Sequence, residues 1–322
     1  MKRILKIKFV DFWGDFNYDT NFITKVLCEH YVLEISDSPD YLFFSTFGVE
    51  HLRYNCVKIM FIGENIAPDF NICDYAIGFD YIEFGDRYLR LPLYQIYASY
   101  AKLERPKEIN VDEVLNRKFC CIVVSNSLHA SPHRERFYRL LSEYKQVDSG
   151  GRLWNNVGGP VANKLDFVSQ YKFNIAFENS SVLGYTTEKI MEPMAVNTLP
   201  IYWGNKLVHR DFNPASFIYV HDFSSMEKAV EYIVKLDGDD SMYTDIIKQP
   251  WIVDGNASQW KVCLGSFLLN IIEKPIREAK YLSDYGYQQI YRKNLYSMIH
   301  MYSRTNTRLY KLLDKVLMKL QK

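Results

Sequence analysis

Residues 173–204, FNIAFENSSVLGYTTEKIMEPMAVNTLPIYWG, contain the pattern that decides the fold. A strand-like apolar run is followed by a polar loop, a helix start and a second apolar run, which together form about one β-α-β unit. In an open α/β sheet, ligands bind beyond the carboxyl ends of strands and at the N-terminus of the following helix. The polar residues of the loop fall at that place, so the stretch predicts an α/β fold with a ligand site.

Strand and helix signals alternate along most of the chain, which favours α/β architecture throughout. A first series begins with a strand at 4–10, and a second begins with the buried-strand signal FCCIVV at 119–124. The charged segment 103–118 lies between them and is interpreted as a linker. At 322 residues the chain is long for a single core. The predicted domains are 1–115, 116–268 and a C-terminal helical segment at 269–322.

Composition excludes several classes of protein. The net charge is +1, so no global basic surface argues for binding to nucleic acid. The six cysteines form no CxxC pair and are interpreted as buried thiols of a reducing compartment, rather than a disulfide framework or a zinc site. Lys6 and Lys8 interrupt the N-terminal apolar run, and no stretch approaches about 18 apolar residues. We therefore expect a cytoplasmic protein, or one held peripherally on a membrane.

The C-terminal tail has a different composition. Residues 303–322 contain six lysines and arginines but a single acidic residue, Asp314. Apolar residues recur there at helical spacing: Leu309, Leu312, Leu313, Val316, Leu317 and Leu320. This pattern predicts a basic amphipathic helix. Such a helix lies on an anionic membrane surface or docks on the body of its own protein, and the sequence favours neither.

The loop and helix start at 178–189 hold most of the candidate site residues. Thr186 or Thr187 can cap a helix whose free N–H groups favour an anion, and Lys189 adds a full positive charge one turn further on. Glu188 can accept hydrogen bonds from the ribose hydroxyls of a nucleotide, and Tyr185 can stack or donate a hydrogen bond. The alternative for Glu188 is a first-turn acid that only complements the helix dipole.

Two further residues lie at equivalent positions in other units. Arg134 begins the helix after strand 119–124 and can face the same anion, although a surface arginine is the alternative. Glu64 follows the apolar strand at 58–62, where a carboxylate can act as a general base; a plain loop carboxylate is the alternative. The acidic run at 237–240 is interpreted as an exposed turn after a helix, not as a metal site.

These residues resemble a known family. The stretch FNIAFENSSVLGYTTEKI…PIYWG is similar to the signature of the α1,3/4-fucosyltransferases, glycosyltransferase family 10, and bacterial members in particular. The upstream segment FIGENIAPDFNICDYAIGFDYIEFGDRYLRLPLY, the pair VVSN and RERFY, and the downstream segment DFNPASFIYVHDF resemble the same family. The resemblance is strong over residues 55–225. It is more specific than one short motif because it covers several separate segments.

The resemblance implies a GT-B fold, in which two Rossmann-like domains face each other across a cleft. It also implies transfer of L-fucose from GDP-β-L-fucose to O3 of N-acetylglucosamine in Galβ1-4GlcNAc, with inversion and without metal or another cofactor. Glu64 matches the proposed general base, and Arg134 matches the arginine on the donor diphosphate. The remaining donor-binding positions are matched by Asn179, Tyr185, Glu188 (on ribose) and Lys189 (on phosphate).

Other interpretations remain open. One is a GT-B transferase that uses another GDP-sugar or makes an α1,4 linkage. Another is a non-catalytic glycan-binding protein, which is disfavoured because Glu64, Arg134, Glu188 and Lys189 are all present. The chain lacks the clear heptad repeats that precede the basic tail in Helicobacter relatives, so dimerisation through such repeats is not expected. The expected partners are GDP-fucose, an N-acetyllactosamine-type glycan acceptor and an anionic membrane surface at the tail, with no nucleic acid.

Overall fold

The structure is a computed structural model that describes residues 2–125, 130–252 and 259–304. Within them the strands are β1 (Ile4–Val10), β2 (Val32–Ile35), β3 (Tyr41–Phe44), β4 (Val57–Phe61), β5 (Tyr75–Gly78), β6 (Tyr88–Arg90), β7 (Lys118–Ile122), β8 (Val147–Ser149), β9 (Tyr171–Phe177), β10 (Leu199–Trp203) and β11 (Ile218–Tyr219). The α-helices are α1 (Phe22–Leu27), α2 (Val111–Leu115), α3 (His133–Ser142), α4 (Lys164–Val168), α5 (Glu188–Met194), α6 (Met226–Asp237), α7 (Asp240–Ile247), α8 (Gln259–Ile272), α9 (Ile276–Ala279) and α10 (Gly286–Arg304).

The chain divides into two compact units. The first contains Met1–Gly78, Phe84–Leu89 and Leu264–Lys322, and the second contains Phe79–Glu83 and Arg90–Cys263. These bounds differ from the predicted domains, since residues 90–115 group with the second unit and the described residues 269–304 group with the first.

The segment 103–118 is not a linker but part of the second unit. Its apolar residues Leu103 and Val114 are 5% and 1% exposed in the core of that unit. The ammonium of Lys107 donates a hydrogen bond to the carbonyl of Gln249 and lies over the ring of Trp251. The sequence pattern missed this packing because only a few apolar residues of a charged segment carry it.

The first unit is built on a six-stranded sheet in the order β2-β1-β3-β4-β5-β6. The pairings along β1 to β5 are parallel. Every residue of β3, β4 and β5 is buried, as continuous apolar runs predict for parallel strands covered on both faces. Helix α1 begins where Asn21 and Thr24 form a capping box.

Asp74 explains why the C-terminal segment belongs to the first unit. This carboxylate is fully buried, and its oxygens accept hydrogen bonds from the backbone N–H groups of Lys58, Tyr281 and Leu282. Burial raises the pKa of Asp74, whereas these N–H donors favour its charged form. The link fixes the chain after α9 against the start of β4 and β5.

The second unit is built on a five-stranded parallel sheet in the order β11-β10-β9-β7-β8. Strand β9 is buried at every residue and occupies the middle of the sheet. The strand order reverses between β7 and β9, which makes this pair a topological switch point. Open α/β sheets bind ligands at such points, so the topology selects the loops after β7 and β9 as the site. The two parallel sheets confirm the α/β class.

The cysteines are only partly as expected. All six are free thiols; Cys56, Cys73, Cys120 and Cys121 are buried, but Cys28 and Cys263 are exposed. Cys28 caps the C-terminal end of α1, and Cys263 lies on the solvent side of α8. The prediction of six buried thiols was therefore wrong at these two positions.

The acidic run at 237–240 also differs from the expected exposed turn. Asp239 caps α7 in a turn, as predicted. The side chain of Asp237, however, is only 5% exposed and forms ion pairs with Lys145 and Lys172. These lysines lie near the ends of α3 and β9, which sequence spacing cannot reveal.

The predicted basic helix at 309–320 lies outside the described residues. Among the residues that are described, none of the helices has the length and apolar content needed to cross a membrane.

Candidate functional site

Two loops meet at the carboxyl edge of the second sheet, one after β7 and one after β9. Cys121 of β7 pairs with Asn174 of β9, although they are 53 residues apart in the chain. Helix α3 follows the first loop, and the polar segment 178–187 follows β9. The strand order therefore brings the sequence-predicted residues Arg134 and Asn179 to one place.

Arg134 lies in the first turn of α3 and is 4% exposed. Its Nη2 atom donates hydrogen bonds to Oδ1 of Asn179 at 2.6 Å and to the carbonyl oxygen of Phe177 at 3.0 Å. Burial lowers the pKa of Arg134, and the nearby carboxylates of Glu178 and Glu188 act in the opposite direction. The two contacts fix the guanidinium group of α3 against the end of β9, at the switch point. This group remains charged at all ordinary pH values.

One N–H of this guanidinium group is left without a protein acceptor in the described part of the chain. The Nε atom of Arg134 is buried and has no hydrogen-bond partner among the described residues. A buried charged donor without a partner carries a desolvation penalty that a bound anion can offset. Arg134 is therefore prepared to donate a hydrogen bond to an anionic oxygen at this edge.

Helix α5 begins as the sequence predicted, with Thr187 as its N-cap. The cap is itself held by Glu178, a residue with no exposed surface. Oε1 of Glu178 accepts from the backbone N–H of Thr187, and Oε2 accepts from its hydroxyl, both at 2.8 Å. Burial raises the pKa of Glu178, whereas Lys189 and the Thr187 donors favour the carboxylate form.

Lys189 lies between two carboxylates. Its Nζ atom donates to Oγ1 of Thr187 at 3.0 Å and lies 3.3 Å from Glu178 and 3.4 Å from Glu188. Burial opposes its charge, but the carboxylates of Glu188 and Glu178 raise the pKa of Lys189 above its ordinary value. The ammonium thus donates one hydrogen bond to Thr187 and forms ion pairs with two carboxylates, so the charge of Lys189 is largely balanced by the protein.

Glu188 is held ionised by two lysines. Burial acts to raise its pKa, but Lys189 and Lys164 outweigh burial and lower the pKa of Glu188 to about 2. Lys164 is the first residue of α4, and its Nζ atom lies 3.8 Å from Glu188 and 2.5 Å from Glu192. An ionised carboxylate of this kind accepts hydrogen bonds from hydroxyl groups without first losing a proton.

Tyr185 is 3% exposed, and its ring packs edge-on against Phe79 with 5.1 Å between ring centroids. Both residues belong to the second unit. This packing favours a role for the hydroxyl group of Tyr185 over stacking of its ring on a ligand.

Asn205 organises the polar segment between β9 and α5. The residue is fully buried; its Oδ1 accepts from the backbone N–H of Gly184, and its Nδ2 donates to Oγ1 of Thr186. Gly184 has φ of +83°, and a Cβ atom there would lie 2.4 Å from the carbonyl oxygen of Phe79. The segment therefore requires glycine at this position.

Glu64 follows β4 in the first unit and is half-buried. The five predicted donor-binding residues all belong to the second unit. The position of Glu64, just past the carboxyl end of a parallel strand, is the one predicted from the sequence.

Three residues of the site were not among the predicted site residues. Glu178 was visible in the polar loop but had no feature to separate it from a loop acid. Asn205 follows β10 directly, and a polar residue at the end of a buried strand is a usable signal. Lys164 gave no signal, because its neighbours Glu188 and Glu192 come from a different helix.

In the part of the chain that the structure describes, no three His, Cys, Asp or Glu side chains cluster as metal ligands.

Two family profiles match the chain. Residues 7–97 match the N-terminal domain of the α-(1,3)-fucosyltransferase FucT, and residues 115–252 match the C-terminal part of glycosyltransferase family 10 (fucosyltransferase). The chain is 36% identical over 285 residues to the α-(1,3)-fucosyltransferase FucT of Helicobacter pylori. This alignment covers 76% of the chain and 59% of the relative, so the chain spans less than two thirds of that protein.

Solved structures agree with the family. A crystal structure of an α1,3-fucosyltransferase with GDP-fucose is 30% identical, with a TM-score of 0.73, covering 85% of this chain and 92% of that one. Anabaena HepE in complex with UDP and glucose is 9% identical with a TM-score of 0.50, covering 83% of this chain and 99% of that one, and bears on the fold alone. The predicted GT-B class, with two Rossmann-like units, is confirmed. The chain belongs to glycosyltransferase family 10, the fucosyltransferases.

Proposed function

We propose that the chain is an inverting α1,3-fucosyltransferase that transfers L-fucose from GDP-β-L-fucose to O3 of N-acetylglucosamine in Galβ1-4GlcNAc-type acceptors. The observation that carries the proposal is the buried Arg134, held by Asn179 at the switch point with its Nε–H unpartnered in the part of the chain that the structure describes. Such a group suits the diphosphate of a nucleotide sugar. The similarity to an α1,3-fucosyltransferase with GDP-fucose supports this choice of donor.

On the donor side, Arg134 contacts the diphosphate and Glu188 accepts from the ribose hydroxyls. Asn179 orients Arg134 through the 2.6 Å hydrogen bond, and the hydroxyl group of Tyr185 adds a further polar contact to the donor. Lys189 supplies positive potential next to the phosphates, although its ammonium also donates to Thr187 and pairs with Glu178 and Glu188. A contact between Lys189 and phosphate therefore replaces or shares one of these interactions.

Inversion by a single displacement needs a base for the acceptor hydroxyl and no covalent enzyme intermediate. Glu64 is proposed as this base. The departing GDP gains negative charge in an oxocarbenium-like transition state, and fixed positive groups stabilise that charge. Arg134 and Lys189 fill this role in the proposal, and no metal or other cofactor takes part.

The proposed product is of Lewis x type, made for bacterial surface glycans such as lipopolysaccharide. We propose that the enzyme works at the inner face of the cytoplasmic membrane, attached peripherally through the basic tail at 303–322. Truncation before residue 303 should move the protein from the membrane to the soluble fraction of lysed cells. If the truncated protein is as strongly associated with the membrane fraction as the full chain, the proposed role of the tail is wrong.

The direct test is turnover of the purified protein with GDP-fucose and N-acetyllactosamine in the presence of EDTA, with the product linkage determined by NMR. An α1,3-fucosylated product formed despite chelation is the expected result. An α1,4 linkage, or turnover of GDP-mannose in place of GDP-fucose, would contradict the proposed specificity. Tight binding of GDP with no transfer to any glycan would favour a binding protein.

A further inference from the structure

Lys164 reaches the proposed donor site from a helix that carries none of its other residues. It begins α4, which Asn163 caps by accepting from the backbone N–H groups of Leu165 and Asp166. The cap fixes the start of the short helix and therefore the origin of the Lys164 side chain. From there the ammonium reaches two carboxylates of α5, Glu188 and Glu192, whose side chains are 21% and 14% exposed.

Glu188 and Glu192 are one helical turn apart, and like charges at this spacing repel each other. The repulsion is stronger here than on an open surface, because both side chains are largely removed from water. The ammonium of Lys164 lies 2.5 Å from Glu192 and 3.8 Å from Glu188, so one cation faces both anions. The closer contact, with Glu192, is an ion pair between two side chains that are largely removed from water.

Lys189 cannot replace Lys164 in this arrangement. Its ammonium is shared among Thr187, Glu178 and Glu188. Removal of Lys164 would leave Glu188 paired only with Lys189, whose ammonium also pairs with Glu178. The negative charge of the neighbouring Glu192 would then act on Glu188 without a cation between them. The Glu188 carboxylate would then turn away from Glu192 or take up a proton, and either change weakens its acceptance of a hydroxyl donor.

We propose that Lys164 is a positioning residue that holds the Glu188 carboxylate toward the ribose hydroxyls of the donor and so sets the preference for a ribonucleotide. The inference rests on the proposed function, because it takes GDP as the ligand of Glu188. Lys164 itself touches no reacting atom in this proposal.

The test is calorimetry of GDP, 2′-deoxy-GDP and 3′-deoxy-GDP binding to the full chain. The wild type is expected to prefer GDP over at least one deoxy analogue, since hydrogen bonds to charged groups are among the stronger ones. Lys164→Met should reduce this preference by about tenfold, mainly by lowering the affinity for GDP. Lys164→Arg should retain most of the preference, because arginine keeps the charge between the two carboxylates.

A double variant tests whether Lys164 acts through its charge or through its packing. Glu192→Gln removes the repulsion, so the double variant Lys164→Met/Glu192→Gln should recover part of the ribose preference lost in Lys164→Met. Lys228→Met is the matched control, because Lys228 pairs with Glu231 on the exposed side of α6 in the same unit. Urea unfolding of each variant identifies any that fail to fold.

The possible outcomes separate the two proposals. If the wild type binds no GDP, the proposed function and this inference both fail. If the wild type prefers GDP and Lys164→Met keeps the full preference, the inference alone is overturned. An equal loss of affinity for GDP and its deoxy analogues in Lys164→Met would also overturn it, since that result indicates a general structural role.

Discussion

The Nζ atom of Lys189 lies 3.3 Å from Oε2 of Glu178, a carboxylate with no exposed surface. Glu178 directly follows β9 and Lys189 lies in the first turn of α5, so the pair ties the end of a central strand to the start of the next helix. Both charges would be costly to bury alone, and each is tolerable because of the other. The strength of this link determines how firmly the proposed donor site is held.

Glu178→Gln should therefore destabilise the protein strongly. The substitution removes the fully buried one of the two carboxylates that pair with Lys189, and breaking a buried pair costs about 3–5 kcal/mol. The free energy of unfolding in urea measures the effect. Glu231→Gln, which breaks the exposed pair with Lys228, is the control and should change stability by less than about 1 kcal/mol. Equal stability of the two variants would show that the buried pair adds nothing.

Arg134→Met should reduce transfer of fucose by about 10²–10³-fold. The loss corresponds to about 2.7–4 kcal/mol, the usual effect of removing one fixed donor from a developing charge. Arg136→Met is a control on the same helix, because Arg136 is exposed and pairs only with Glu227 among the described residues. Steady-state kinetics with GDP-fucose compares the two variants. Similar rates would rule out a role for Arg134 at the diphosphate.

Glu64→Gln should abolish transfer while leaving GDP binding unchanged. A base is needed only in the chemical step, and its removal typically costs about 10²–10⁴-fold in rate. The substitution keeps the size of the side chain, and Glu64 belongs to a different unit from the donor-binding candidates. Calorimetry with GDP and turnover with GDP-fucose give the two readouts. A parallel loss of both would assign Glu64 to the donor site or to the fold.

Lys58 provides a pH-dependent test of the first unit. It is 3% exposed on β4, and burial lowers its pKa to about 8 from the usual 10.5. Between these values the unfolded chain binds a proton that the folded chain does not, so stability falls as the pH decreases from 10.5 to 8. Below about pH 8 both states are protonated and the penalty stays constant.

Lys58→Met removes this penalty. The free energy of unfolding of the variant minus that of the wild type should be larger at pH 7 than at pH 10. The expected difference between the two pH values is up to about 3 kcal/mol. Urea unfolding at both pH values measures the difference. Lys6→Met is the control, because Lys6 is exposed on β1. It should change the free energy of unfolding by a similar small amount at pH 7 and at pH 10. If the advantage of Lys58→Met did not depend on pH, the buried amine would not titrate as described.

The local order of elements was predictable because it depends on neighbouring residues. The strand-like segments that became β1, β4, β7 and β9 are each a short stretch of mostly apolar neighbours, and the cap at Thr187 is a short-range hydrogen bond. Helix α6 likewise begins at a local cap, since the side chain of Ser225 accepts from the backbone N–H of Lys228. Apolar periodicity and capping therefore determined where most elements begin and end.

The sequence by itself also determined the family and the chemical types at the site, since Arg134, Glu188 and Lys189 stand in recognisable segments. Only the tertiary structure decided which groups share an environment. The strand order brings β7 beside β9, and α4 brings Lys164 to Glu188, over distances in the chain that no local spacing encodes. The burial of Glu178 and Asp237 and the exposure of Cys28 and Cys263 follow from the same packing, because burial is a property of what covers a residue and not of the residue itself.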